Sequence, residues 1–160
     1  MSEMIKLVET EPYFFQFQFE LVNNLVDKEY DRFTKNTIIG MSSMIVGKTG
    51  YLDGLNLKPK IIDTRIITAY DEEQFLEVRL NAFAAVCVCS FEDKEKLVDF
   101  FSSPRGASIS CSVKDRICSI CGDSAFVCKH EKGKVYGKFF RRKCVHELSG
   151  VTDVYEWSLG

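Results

Sequence analysis

The stretch from Cys118 to Cys144 constrains this chain more than any other. It reads Cys118-Ser119-Ile120-Cys121, then Cys128-Lys129-His130, then Gly133, Tyr136 and Cys144. Two cysteines separated by two residues allow the backbone to turn so that both thiolates face one cation. A second pair, Cys128 and His130, follows shortly after. Four sulfur and nitrogen donors of this kind suit tetrahedral Zn2+ at about 2.0–2.3 Å. Cys118, Cys121, Cys128 and His130 are therefore the expected ligands of a structural zinc site. Cys144 is either a replacement for His130 as fourth ligand or a buried thiol. Such a site supplies folding energy to a segment too poor in strands to bury much by itself. The competing reading is a set of ordinary reduced cysteines.

The cysteine count favours the metal. Seven cysteines could form a disulfide framework, but the number is odd and four fall at metal-like spacing. The N-terminus carries no signal-peptide pattern. A reducing cytosol is the expected compartment. At 160 residues and 46% hydrophobic content, with thirteen Phe, the chain is sized for a single domain, 1–160, with a substantial core. The metal segment is an insert at about 115–145. A net charge of −2 gives no global attraction to nucleic acid. No apolar run approaches the ~20 residues that span a bilayer.

Periodicity places the remaining elements. Phe15, Phe17, Phe19 and Leu21 alternate with Gln16, Gln18 and Glu20, the pattern of a half-buried strand over 13–22. Tyr30, Phe33, Thr37, Ile38, Met41 and Ile45 fall at helical spacing, which predicts a helix over 29–46 ending near Gly47. Gly47-Lys48-Thr49 lacks the Gly five residues earlier that a phosphate loop requires, since Ser42 stands there. Residues 50–59 are rich in turn formers and predict a loop. Residues 61–70 and 75–89 predict a β-hairpin, with Cys87 and Cys89 packed as small hydrophobes. Ser90 and Asp93 mark a helix start, and Pro104 marks its end. Ala107, Ile109, Cys111 and Val113 alternate with Ser108, Ser110 and Ser112, so 107–113 is a strand with a row of hydroxyls on one face. Residues 153–160 close the chain as another strand, and His146 falls in a polar loop.

Laid out in this order, the chain resembles the caudovirus prohead serine proteases, distant relatives of the herpesvirus assemblins, and within them a phage subgroup with a cysteine-rich insert. The matching pieces are Gly47-Lys48-Thr49-Gly50-Tyr51-Leu52-Asp53, Thr64-Arg65-Ile66, Ser108-Ile109-Ser110-Cys111-Ser112-Val113, Cys118-Ser119-Ile120-Cys121-Gly122, Cys128 through Tyr136, and Tyr155-Glu156-Trp157-Ser158. Their order and spacing cover roughly residues 35–160. The resemblance implies an α+β fold: a small antiparallel β-barrel with flanking helices and the inserted zinc-binding segment. It also implies a catalytic serine at Ser108 and a third triad member at Glu156. The family's histidine position is occupied by Gly54. A serine hydroxyl is a weak nucleophile until a base takes its proton, so the resemblance implies impaired catalysis.

Three functions follow, in order of preference. The first is a head-assembly protein that binds capsid, scaffold or other head proteins, self-associating or incorporated in a viral assembly. It would be found in the prohead or virion and, during assembly, in the host cytoplasm. The second is an active serine protease cleaving scaffold or capsid protein. The third is a zinc-ribbon nucleic-acid binder, using Lys129, Lys132, Lys134, Lys138, Arg141, Arg142 and Lys143 with Tyr136, Phe139 and Phe140. For that basic patch a solvated lysine-rich face is preferred, because the rest of the chain is acidic. Neither a membrane nor a nucleic-acid partner is expected.

Overall fold

The computed structural model describes residues 2–160. In chain order the elements are β1 (Leu7–Glu11), β2 (Phe14–Asn23), β3 (Asp31–Phe33), α1 (Lys35–Met44), β4 (Gly50–Leu52), β5 (Lys60–Tyr70), β6 (Leu76–Cys87), α2 (Phe91–Phe100), β7 (Ala107–Cys118), β8 (Val135–Tyr136), β9 (Arg142–Lys143) and β10 (His146–Leu159). The first sheet runs β1-β2-β6-β5, all antiparallel. The second is organised around β10. One edge of β10 pairs antiparallel with β7 along nearly its whole length, while β3 and β4 pair with it in parallel near its two ends.

The alternation read from residues 13–22 is what joins the sheets. Phe15, Phe17, Phe19 and Leu21 are all buried, and Phe17 packs on Phe101 of the segment after α2, with ring centroids 4.7 Å apart. From the second sheet, Trp157 reaches Phe19 at 5.0 Å. The indole is buried, and its Nε1 donates to the Lys48 carbonyl at 3.0 Å. Gly50 makes this possible, because a Cβ there would lie 2.2 Å from Trp157 Cε2.

The fold is mixed α+β and mostly strands, but the expected closed barrel is not formed. Between the two sheets run only isolated bridges, Thr49 with Lys60 and Glu3 with Arg105, among the described residues. A barrel requires a continuous ladder around the circumference, and here two faces pack across a shared aromatic core instead.

Several sequence expectations shift. The helix starts at residue 35, not 29. Thr34 caps it by accepting from the Thr37 N–H at 3.3 Å. The residues ahead of it form a turn in which Asp27 Oδ1 accepts from the Glu29 and Asp31 N–H groups, and then β3. Gly50–Leu52, expected as loop, is a short strand on β10. Cys87 and Cys89 are exposed. Val86 and Val88 take the buried face, and the two-residue strand period sends their neighbours outward. The Ser90 cap holds as expected, accepting from the Asp93 N–H at 3.1 Å, and α2 buries Leu97 and Phe100.

Candidate metal centre

The first candidate ligand ends a strand. Cys118 is the last residue of β7 and is fully buried. The chain then turns: the Gly122 N–H donates to the Cys118 carbonyl at 2.9 Å, and the Cys118 N–H donates to the Asp123 carbonyl at 2.9 Å. Gly122 takes φ +76°, in the left-handed region that a side chain disfavours. Inside this turn the Ile120 N–H points at Cys118 Sγ, 3.4 Å away.

The Sγ atoms of Cys118, Cys121 and Cys128 and a ring nitrogen of His130 all lie within 4.8 Å of one another. A tetrahedral ion with sulfur bonds of about 2.3 Å and nitrogen bonds of about 2.0–2.1 Å requires ligand edges of roughly 3.5–3.8 Å. Cys118 Sγ lies 3.6 Å from His130 Nδ1, which fits such an edge. The donor set and its spacing are therefore compatible with a metal ion. Cys144, also fully buried, places its Sγ 3.8 Å from Cys118 Sγ. The four mutually close ligands are the set led by His130, with Cys144 standing against one of them.

Electrostatics at the cluster favour a cation. Burial pushes the Cys118 thiol up, but N–H donation from Cys121 and Ile120, with the Cys121 and Cys144 thiols beside it, outweighs burial and brings it to about 6. Cys144 is pushed up to about 11, by burial first and then by its contact with Cys118. Burial, and after it the charge that a Cys118 thiolate would carry, raise the Cys121 and Cys144 thiols. A divalent cation removes that mutual repulsion and releases the remaining protons.

Around the cluster, Tyr136 presents its ring edge-on to His130, with centroids 4.6 Å apart and planes at 84°. Its hydroxyl accepts from the Glu131 N–H at 2.9 Å. Tyr136 thus packs on His130 and is not a free aromatic surface. The segment is fastened to the turn ahead of β3 and to the start of β3 itself. Asp31 takes Lys132 at 3.1 Å and Arg116 at 3.5 Å. The Lys143 ammonium sits over the Tyr30 ring at 5.2 Å, and a Cβ on Gly133 would lie 2.8 Å from the same ring.

The candidate catalytic residues lie at the other end of the β7–β10 ladder. Ser110 faces Glu156 and Ser108 faces Ser158. Opposed residues share a sheet face, so Ser108 and Glu156 are diagonal neighbours on an exposed face. Gly54, with φ +79°, follows Asp53, which lines one hollow with Tyr51, Ser108 and Ser158. Part of the hydroxyl row is explained by local bonding: Ser112 Oγ lies 2.6 Å from Thr152 Oγ1 and accepts from Tyr155 OH at 3.2 Å.

Neither imidazole reaches Ser108. His130 belongs to the Cys/His cluster. His146 is not in a loop but is the first residue of β10, directly opposite Cys118. Cys118 and Ser108 are ten residues apart on one strand, about 32–34 Å at 3.2–3.4 Å per residue. His146 Nε2 is buried without a hydrogen-bond partner among the described residues. Sequence reasoning missed the Tyr30–Asp31 platform and the exposed Phe126 and Val127, which carry no signal until the arm's contacts are known. Compared with protein-family models, curated proteins and solved structures, the chain finds no match.

Proposed function

We propose that this chain is a phage head-assembly protein built on a prohead-protease-like framework, and that it binds capsid, scaffold or other head components without cutting them. One observation carries the non-cleaving part of this reading: Ser108 stands on an exposed strand with no imidazole in reach, while the head-assembly part rests on the resemblance at residues 47–53, 108–113 and 155–158. His146 is held at the far end of the same ladder, and His130 sits among thiols. A general base must come within about 2.6–3.2 Å of the hydroxyl, directly or through one water.

The metal in this reading is Zn2+, held by Cys118, Cys121, Cys128 and His130. Three soft thiolates and one imidazole with no open ligand position suit structural zinc better than a hard oxygen-seeking cation. The ion closes the 118–144 segment, and the chain's own contacts at Tyr30 and Asp31 fix that segment on the β10 sheet. Its place is the prohead or virion.

The test is sedimentation of the zinc-loaded chain with immature heads, followed by electrophoresis of scaffold and capsid proteins. The expected result is co-sedimentation with intact head proteins, unchanged in Ser108→Ala. Fragments that disappear in Ser108→Ala would establish a protease instead. Failure to sediment with heads would reject the head-assembly reading.

A further inference from the structure

The metal-held arm carries a surface that its structural role does not use. Residues 119–143 contain seven cations and two acids, Asp123 and Glu131. Lys132 is neutralised by Asp31 and Lys134 by Glu131. Lys129, Lys138, Arg141, Arg142 and Lys143 have no carboxylate within ion-pair distance among the described residues, and all five are exposed. A solvated lysine face would account for these charges alone. It does not account for the rings among them: Phe139 is 93% exposed, Phe140 88% and Phe126 83%.

Phe139 and Phe140 form the tip of the β8–β9 hairpin, between Lys138 and Arg141. Gly137 sets the turn, at φ +105°, where a Cβ would lie 2.4 Å from the Phe140 carbonyl oxygen. The Arg142 guanidinium, donating to the Ile120 carbonyl at 3.3 Å, ties the hairpin to the first cysteine turn. The rings are thus presented on a stapled support and left in water.

We propose that this arm binds single-stranded nucleic acid, with the free cations tracking the phosphates and Phe139 and Phe140 stacking on unpaired bases. Two chemistries could satisfy a basic, aromatic surface. A protein partner is disfavoured because interface cores are depleted of Lys, and three of the five free cations here are Lys. Phosphates tolerate Lys and Arg alike, and exposed rings stack on bases of any sequence. Duplex is disfavoured because its bases are already stacked. The proposal does not depend on the head-assembly reading.

The experiment is fluorescence anisotropy of the zinc-loaded full chain with a labelled 20-nucleotide oligo-dT, its dT·dA duplex and labelled poly-glutamate. Binding of oligo-dT should weaken with salt at a slope of about −3.5 for five phosphates on a log–log plot, or roughly 100-fold from 50 to 200 mM. Phe139→Ala with Phe140→Ala should weaken it at least tenfold at fixed salt, with metal content and circular dichroism unchanged. Phe139→Tyr with Phe140→Tyr should stay within about threefold of the parent, because the ring face is kept. Equal affinity for duplex, indifference to the Phe pair, or no binding of oligo-dT at 50 mM salt would overturn the proposal. Binding of poly-glutamate in preference to oligo-dT would overturn it in favour of an acidic protein partner.

Discussion

Gly50→Ala should be among the most damaging single-methyl additions in this protein. A Cβ at Gly50 would lie 2.2, 2.3 and 2.6 Å from Trp157 Cε2, Cδ2 and Cζ2. The indole cannot move away freely. It is buried, its ring packs on Phe19, and its Nε1 holds the Lys48 carbonyl. Overpacking a core by one methyl costs about 1–3 kcal/mol, and losing the indole hydrogen bond adds about 1 kcal/mol. The expected loss is therefore about 2–4 kcal/mol, a fall in Tm of roughly 4–16 °C for a chain of this size. Trp157 is the chain's one tryptophan, so urea unfolding followed by its emission reports the affected site directly. The same change in a Trp157→Leu background, followed by circular dichroism, should cost under about 0.5 kcal/mol, because the clashing ring is gone. A loss below about 0.5 kcal/mol in the parent, or an equal loss in both backgrounds, would refute the packing argument.

Other expectations concern the thiols, His146 and Gly54. A thiol reagent in native buffer should label Cys87 and Cys89 within the mixing time and half-buried Cys111 more slowly. Cys118 and Cys144 should react only after chelation and unfolding, and rapid labelling of Cys144 in the metal-loaded chain would contradict its burial. Burial holds the His146 imidazole below its ordinary value, with Lys132 and Arg116 adding to the effect and Asp31 opposing it. Below about pH 6.5 the unfolded chain therefore binds a proton that the folded chain refuses, and stability falls with pH down to the depressed folded value. His146→Gln should lose less stability than the parent between pH 7 and pH 5, and a steeper loss in the variant would reverse the sign of the argument. Gly54→His places an imidazole beside the Ser108 hollow with open space for its Cβ but at φ +79°, which costs about 1–2 kcal/mol. It should destabilise the chain by that amount and give slow, Ser108-dependent peptide cleavage. Cleavage unaffected by Ser108→Ala would remove Ser108 from any catalytic role.

The parts of this molecule legible in its sequence are the ones whose causes are local. The Phe15-Phe17-Phe19 alternation, the Ser90 cap and the cysteine spacing each depend on residues a few positions apart, and each is found where expected. What was not legible depends on distant partners. Tyr30 and Phe33 fit a helical period, yet residues 31–33 pair with 146–148 across the whole chain. Gly50 looks like a turn former, but it is the seat of an indole 107 residues later. The apolar run into Cys89 hides which of its residues face inward, because an uninterrupted run carries no parity. His146 sits in a polar stretch, and only the pairing of β10 with β7 reveals that it lies opposite Cys118 of the Cys/His cluster. Likewise, the cysteine spacing points to a Cys/His cluster that could hold a metal, but not to the Tyr30–Asp31 platform against which it lies.

The central claim is that one metal ion, bound by Cys118, Cys121, Cys128 and His130, closes the arm. Native mass spectrometry of the full chain, with elemental analysis of the same sample, tests it most directly. One zinc per chain is expected in the parent and in Cys144→Ser, with loss of the metal in Cys121→Ser, Cys128→Ser and His130→Ala. A metal-free parent would rule out this centre, and metal retained in His130→Ala but lost in Cys144→Ser would rule out His130 as the fourth ligand.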